Sequence, residues 1–125
     1  MSTLKVNTIQ NTSAAHGSTP EQIAQGRAKA WINFIGTSTV SIRDSFNVSS
    51  LTDNGTGDYS MNFSTAMSNA NYCVVSTGSE SGVGGAARFI SGDGNSASAA
   101  LLLTFNSTTK TDYNFCSFAV FGDQA

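Results

Sequence analysis

The stretch Val40-Ser41-Ile42-Arg43-Asp44-Ser45-Phe46-Asn47-Val48-Ser49-Ser50-Leu51-Thr52-Asp53-Asn54-Gly55-Thr56-Gly57-Asp58-Tyr59-Ser60-Met61-Asn62-Phe63 decides the fold class. Val40, Ile42, Phe46 and Val48 alternate with Ser41, Arg43, Ser45 and Asn47, a period of two that sends one strand face to a core and the other to water. Asp44 breaks the apolar face and marks a bulge, an interface contact or an end-of-sheet position. Residues 53–58, Asp-Asn-Gly-Thr-Gly-Asp, tolerate positive φ or cap their own turn. Tyr59, Met61 and Phe63 return on alternate positions, so 47–51 and 59–64 read as a hairpin.

The same reading extends outward. Residues 30–35 form a strand before this hairpin, and 71–76 a strand after it. A nine-residue loop with four glycines follows at 77–85, then a short strand at 87–90 and a Gly/Asn/Asp turn at 91–96. Residues 99–105 are nearly continuously apolar, as in a strand covered on both faces. A turn at 106–109 leads to a closing strand at 112–121. There Tyr113 and Phe115 share one parity and Phe118 and Val120 the other, which implies a bulge or two covered faces. About seven short strands at this spacing predict a mainly β head over residues 31–125, an antiparallel β-sandwich or barrel-like fold. Phe46, Phe63, Leu101, Leu103 and Phe115 are its expected core.

The first thirty residues differ in kind. Residues 4–9 alternate like a strand, but 10–19 are small and polar with nothing to bury, so 1–19 read as an extended attachment arm with Leu4, Val6 and Ile9 as its apolar contacts. Thr19-Pro20-Glu21-Gln22 combines an N-cap hydroxyl, a proline at the first helical position and Gln at the third, a capping box that opens a short helix over 20–30. Gly26 weakens its middle. With Ile23, Ala24, Arg27, Ala28 and Trp31 roughly on one side, so short a helix needs a surface of its own chain or of a neighbouring copy.

Composition narrows the function classes. The chain has 125 residues, a one-domain length, with 39% apolar and only 11% charged residues. Its surface must be built from 19 Ser, 14 Thr and 11 Asn. A net charge of −2 with six scattered Lys and Arg offers no field for phosphates, so neither nucleic acid nor membrane is an expected partner. The N-terminus lacks an apolar leader, which points to synthesis in the cytoplasm. Cys73 and Cys116 lie in apolar stretches without metal-ligand spacing and are expected as buried, reduced thiols.

No catalytic constellation emerges. A nucleophile needs a positioned base, and the one histidine, His16, sits in the small-residue arm. Six Asp and two Glu lie mostly in turns, where capping the local backbone is their ordinary work. Asp53 with Asp58, or Asp93 with Asn95, lacks the ligand alternation of a calcium loop. The glycines at 82–85 are not followed by a helix and make no phosphate cradle. The expectation is a protein of assembly or binding, not an enzyme, with no cofactor.

Thr3-Leu4-Lys5-Val6-Asn7-Thr8-Ile9-Gln10-Asn11-Thr12-Ser13 resembles the N-terminal segment of tailed-bacteriophage virion structural proteins, particularly tail-fibre-like proteins of phages of marine bacteria and cyanobacteria. Residues 28–34, 45–59, 62–63, 71–72 and 118–124 resemble a module recurring in that group; the loops between 77 and 98 do not match it. The resemblance implies a virion component, made in the host cytoplasm and homotrimeric, joined to other virion proteins through its N-terminal arm and serving host attachment. It carries no enzymatic residues. Within that reading, Ser79, Glu80, Ser81, Asp93 and Asn95, in the two Gly/Ser-rich loops, are the candidate contacts for a host receptor or glycan. Two alternatives stand beside it. One is a capsid decoration or head-fibre protein. The other is a carbohydrate-binding module, whose aromatic platform would have to come from Trp31, Tyr59 or Tyr72, each of which sits in an apolar strand and is expected in the core.

Overall fold

The computed structural model describes residues 2–13, 17–79, 89–94 and 96–125. Among these described residues a short helix, α1 (Pro20–Gly26), precedes nine strands: β1 (Ala30–Ile35), β2 (Ser41–Phe46), β3 (Val48–Gly55), β4 (Asp58–Phe63), β5 (Cys73–Ser79), β6 (Phe89–Asp93), β7 (Ala99–Asn106), β8 (Thr109–Lys110) and β9 (Phe115–Phe121). They form two antiparallel sheets, ordered β2-β1-β9-β5 and β3-β4-β7-β6, with β8 extending the second beside β7. The fold is a β-sandwich and not a closed barrel.

Alternation builds the core. Ala30, Ile32 and Phe34 of β1 and Cys116, Phe118 and Val120 of β9 point inward from the first sheet, and Tyr59, Met61, Phe63, Ala100 and Leu102 meet them from the second. Phe34 is central: the Tyr59 ring lies edge-on to it at 4.9 Å and the Phe118 ring stacks at 6.1 Å.

Asn47 is where the chain changes sheets. Its φ of 55° turns β2 into β3, a conformation that asparagine tolerates better than most residues. The side chain then clamps the corner, donating through Nδ2 to the carbonyls of Lys29 and Thr65 at 3.0 Å each and accepting from the Thr65 amide at 2.7 Å. At the opposite end, Asp112 accepts from the Gly57 amide at 2.7 Å and from the Tyr59 hydroxyl at 2.6 Å. Gly57 has φ 62°, and a Cβ there would stand 2.5 Å from the Thr104 carbonyl oxygen, so this turn admits glycine alone.

Several expectations are corrected. The helix stops at Gly26 instead of reaching Ala30, because Arg27 is already extended and Ala30 starts β1. Phe46 and Phe115 are not core: they are 54% and 36% exposed. For Phe46 the cause is a bulge between Asn33 and Phe34 of the β1–β2 register, which leaves Arg43 unpaired and shifts the parity, so that Ile42 pairs with Phe34 but Phe46 pairs with outward-facing Trp31. Leu101 and Leu103 are half-buried on the outer side of β7, whose inward residues are Ala100, Leu102 and Thr104. Phe63 is buried as expected. Residues 77–79 and 91–93, read as loop and turn, belong to β5 and β6. Cys116 is buried but Cys73 is exposed, and both are free thiols.

Candidate functional site

Among the described residues the large apolar side chains left exposed fall into two groups. Leu4, Val6, Ile9 and Ile23 belong to the N-terminal segment and α1; Trp31, Ile42, Phe46, Val75 and Phe115 belong to the four-stranded sheet. In a chain rich in Ser, Thr and Asn, such clustering makes these two surfaces the candidate sites.

The N-terminal group is built locally. Ile9 and Ser18 exchange backbone hydrogen bonds of 2.9 and 2.8 Å, so residues 9 and 18 are drawn together. The Thr19 hydroxyl accepts from the Gln22 amide at 3.2 Å while the Gln22 side chain accepts from the Thr19 amide at 2.9 Å, the capping box that the sequence predicts. Leu4, Val6, Ile9, Ile23 and Ala24 then line an open hollow of about 630 Å³. No residue of α1 is buried. Its ties to the head are polar: Gln25 donates to the Asp123 carboxylate, and buried Lys29 donates from Nζ to the Ala24 carbonyl at the helix end.

Apart from Ile42, which pairs with inward-facing Phe34 on the edge strand, the second group lies on the outer face of β2-β1-β9-β5, where register sets three rows across the sheet. Trp31, Ala119 and Val75 form one row, with Phe46 beyond Trp31. Asn33, Ser117 and Thr77 form the next, with Asn33 Nδ2 donating to Ser117 Oγ at 2.6 Å. Phe115 and Ser79 are paired in the third. Because Ala119 and Ser117 are small and their neighbours taller, β9 is the floor of a groove, in two adjoining parts of about 360 and 280 Å³. Two rows are about 13 Å along a strand. At the far end the Arg43 guanidinium lies 4.2 Å from the Phe115 ring centroid and donates to Phe34 O at 3.3 Å and Asn114 Oδ1 at 3.4 Å. The bulge that turns Phe46 outward also brings Arg43 here.

Comparison with protein-family models, curated sequences and solved structures gives no match. The site therefore rests on geometry. Of the loop residues singled out by sequence, Ser79 lines the end of the groove. Asp93 is exposed at the end of β6, beside Gly92, whose backbone packs against Val74. Five strand positions from Val74 to Ser79 separate these two candidates by about 17 Å. Glu80, Ser81 and Asn95 lie outside the described residues, as does His16. Trp31, assigned to the core by sequence, is the groove's aromatic wall; Tyr59 is buried, and Tyr72 is half-buried with its hydroxyl bonded to Ser96 O and Ala99 O. The overlooked signal was parity: Trp31 shares its strand face with polar Asn33, opposite Ile32 and Phe34.

Among the described residues no three His, Cys, Asp or Glu gather as a metal-ion group. Burial pushes the Cys116 thiol up to about 11, leaving it protonated at neutral pH. Burial first, and then the hydrogen bond to Asp112, holds the Tyr59 phenol far above its ordinary range. Both groups serve the interior of the sandwich.

Proposed function

We propose that this protein is a bacteriophage virion structural component, a homotrimeric tail-fibre or appendage subunit that attaches to other virion proteins through residues 1–19 and presents its β-sandwich head for host recognition. The observation that carries the reading is the division of exposed apolar surface. Leu4 is 83% exposed, Ile9 54% and Ile23 42%, on a segment none of whose described residues belongs to the core cluster. A segment with exposed apolar side chains, tied to the head among the described residues by the polar contacts of Gln25 and Lys29, is suited to burial in a neighbouring subunit or particle protein, whose surface would supply the cover that its own chain does not. The resemblance of residues 3–13 to the phage segment points the same way.

Deletion of residues 1–19 tests this. The expected outcome is a folded head that no longer joins particles; incorporation of the truncated protein at the level of the full chain overturns the reading. Electron microscopy of labelled particles then separates a tail appendage from a capsid decoration or head fibre. The carbohydrate-binding alternative is favoured by one particular feature, the exposed Trp31 beside a hydroxyl-lined groove, and it requires no particle at all.

A further inference from the structure

We propose that the groove over β9 is a binding site for a neutral, linear oligosaccharide, with Trp31 as its stacking wall and Asn33, Ser117 and Thr77 as its hydrogen-bonding row. The inference deepens the view of the head as a recognition module and rests on it.

Three properties select this occupant. First, β9 is central and hydrogen-bonded on both sides, to β1 and β5, so its backbone has no ladder positions left for an added peptide strand. The groove offers side chains only. Second, those side chains alternate by row: an indole with small apolar neighbours, then an amide and two hydroxyls, then Phe115 with Ser79 and the guanidinium of Arg43. A pyranose ring has the matching character, with an apolar C–H face for an aromatic plate and hydroxyls around its rim that both donate and accept. Arg43 uses two of its five N–H groups in the described hydrogen bonds, leaving donors at the end of the groove. Third, the charge is balanced: Arg43 and Asp44 are adjacent on β2 and of opposite sign, and the groove floor is uncharged, so an anionic chain gains little. A second copy of the sheet fits poorly, because a flat face would rest on Trp31 and Val75 and take water from the polar row of Asn33, Ser117 and Thr77, whose one described side-chain bond, Asn33 to Ser117, leaves further donor and acceptor capacity. The length of about 13 Å between the Trp31 and Phe115 rows suits a short oligosaccharide over a single sugar.

Trp31 is the chain's one tryptophan, so its emission reports on the site alone. The full-length protein is titrated with cellotetraose, maltotetraose and chitotetraose, following Trp31 fluorescence and, independently, heat by calorimetry. At least one probe is expected to give a saturable change in both. Ala119→Arg, which raises the floor, and Thr77→Tyr, which closes the groove from the edge strand, should each weaken that binding about tenfold or more at an unchanged unfolding midpoint. Trp31→Ala, followed by calorimetry, should do the same. No response to any of the three probes overturns the proposal, as does binding that is insensitive to both groove-filling variants. Conversion of an oligomer to a monomer by Ala119→Arg also overturns it, by making this face a subunit interface. Failure of sugar binding leaves the arm-deletion test of particle attachment untouched, and incorporation of an arm-deleted protein leaves the sugar site standing.

Discussion

Phe34 and Phe46 are chemically identical and face opposite ways, and the difference is measurable. Phe34 is fully buried between Tyr59 and Phe118, so Phe34→Ala should cost about 3–5 kcal/mol in chemical denaturation. Phe46→Ala removes a ring already more than half in water and should cost less than about 1 kcal/mol. Equal losses at the two sites would mean that the bulge at Arg43 does not shift the register. The cysteines make a similar pair. Cys73 and Cys116 lie on different faces of their sheet, and Cys116 pairs in register with Gly78, five positions along β5 from Cys73. No bridge between them is possible without moving the backbone. One thiol per folded chain should react rapidly with a maleimide, and the second only on unfolding.

At the scale of elements, two polar devices hold strands in place. Asn47 satisfies two carbonyls and one amide where the chain passes from one sheet to the other, so Asn47→Ala should cost about 2 kcal/mol or more. Asn47→Gly, which relieves the backbone but not the lost hydrogen bonds, should remain below the parent in unfolding midpoint. The β4–β8 region carries the other device. Lys110, bonded to Asp58, holds that carboxyl below its ordinary value of 3.8, with Asn54 adding a second hydrogen bond. A lowered folded-state pKa contributes stability above the unfolded value, lost as pH falls through the lowered one. The pair is solvated, so Asp58→Asn should cost only about 0.5 kcal/mol at neutral pH, and the difference should shrink in acid, as the carboxyl becomes protonated in the folded state as well. A variant equally destabilised at neutral pH and in acid would show that the ion pair contributes nothing.

For the whole molecule, the described core lies within the head. The core cluster runs from Ala30 to Val120 and takes none of the described residues of 1–29. Removing residues 1–19 should therefore leave the thermal midpoint of the head nearly in place; a large fall in the cooperative transition would mean that the segment belongs to the core. The groove and the N-terminal hollow share no lining residue, so the proposed attachment and the proposed recognition can be tested by separate variants.

The hairpin of β3 and β4 and the capping box at Thr19 were legible because each depends on neighbours a few residues apart, whereas the strand read over 40–48 is broken at Asn47, where the chain passes to the other sheet. Mainly β architecture, the hairpin at Gly57 and the start of α1 follow from such local chemistry. Which face of each strand turns inward did not. In β7 and β9 both parities carry large apolar side chains, and only the second sheet, packed against one face, decides that Leu102 and Phe118 are buried while Leu101 and Phe115 are not. A single bulged residue, Arg43, reverses the phase of Phe46 without altering the apparent alternation. The groove was hidden for the same reason: Trp31, Ser117 and Thr77 are 40 or more residues apart along the chain and become neighbours only when β1 and β5 pair on either side of β9.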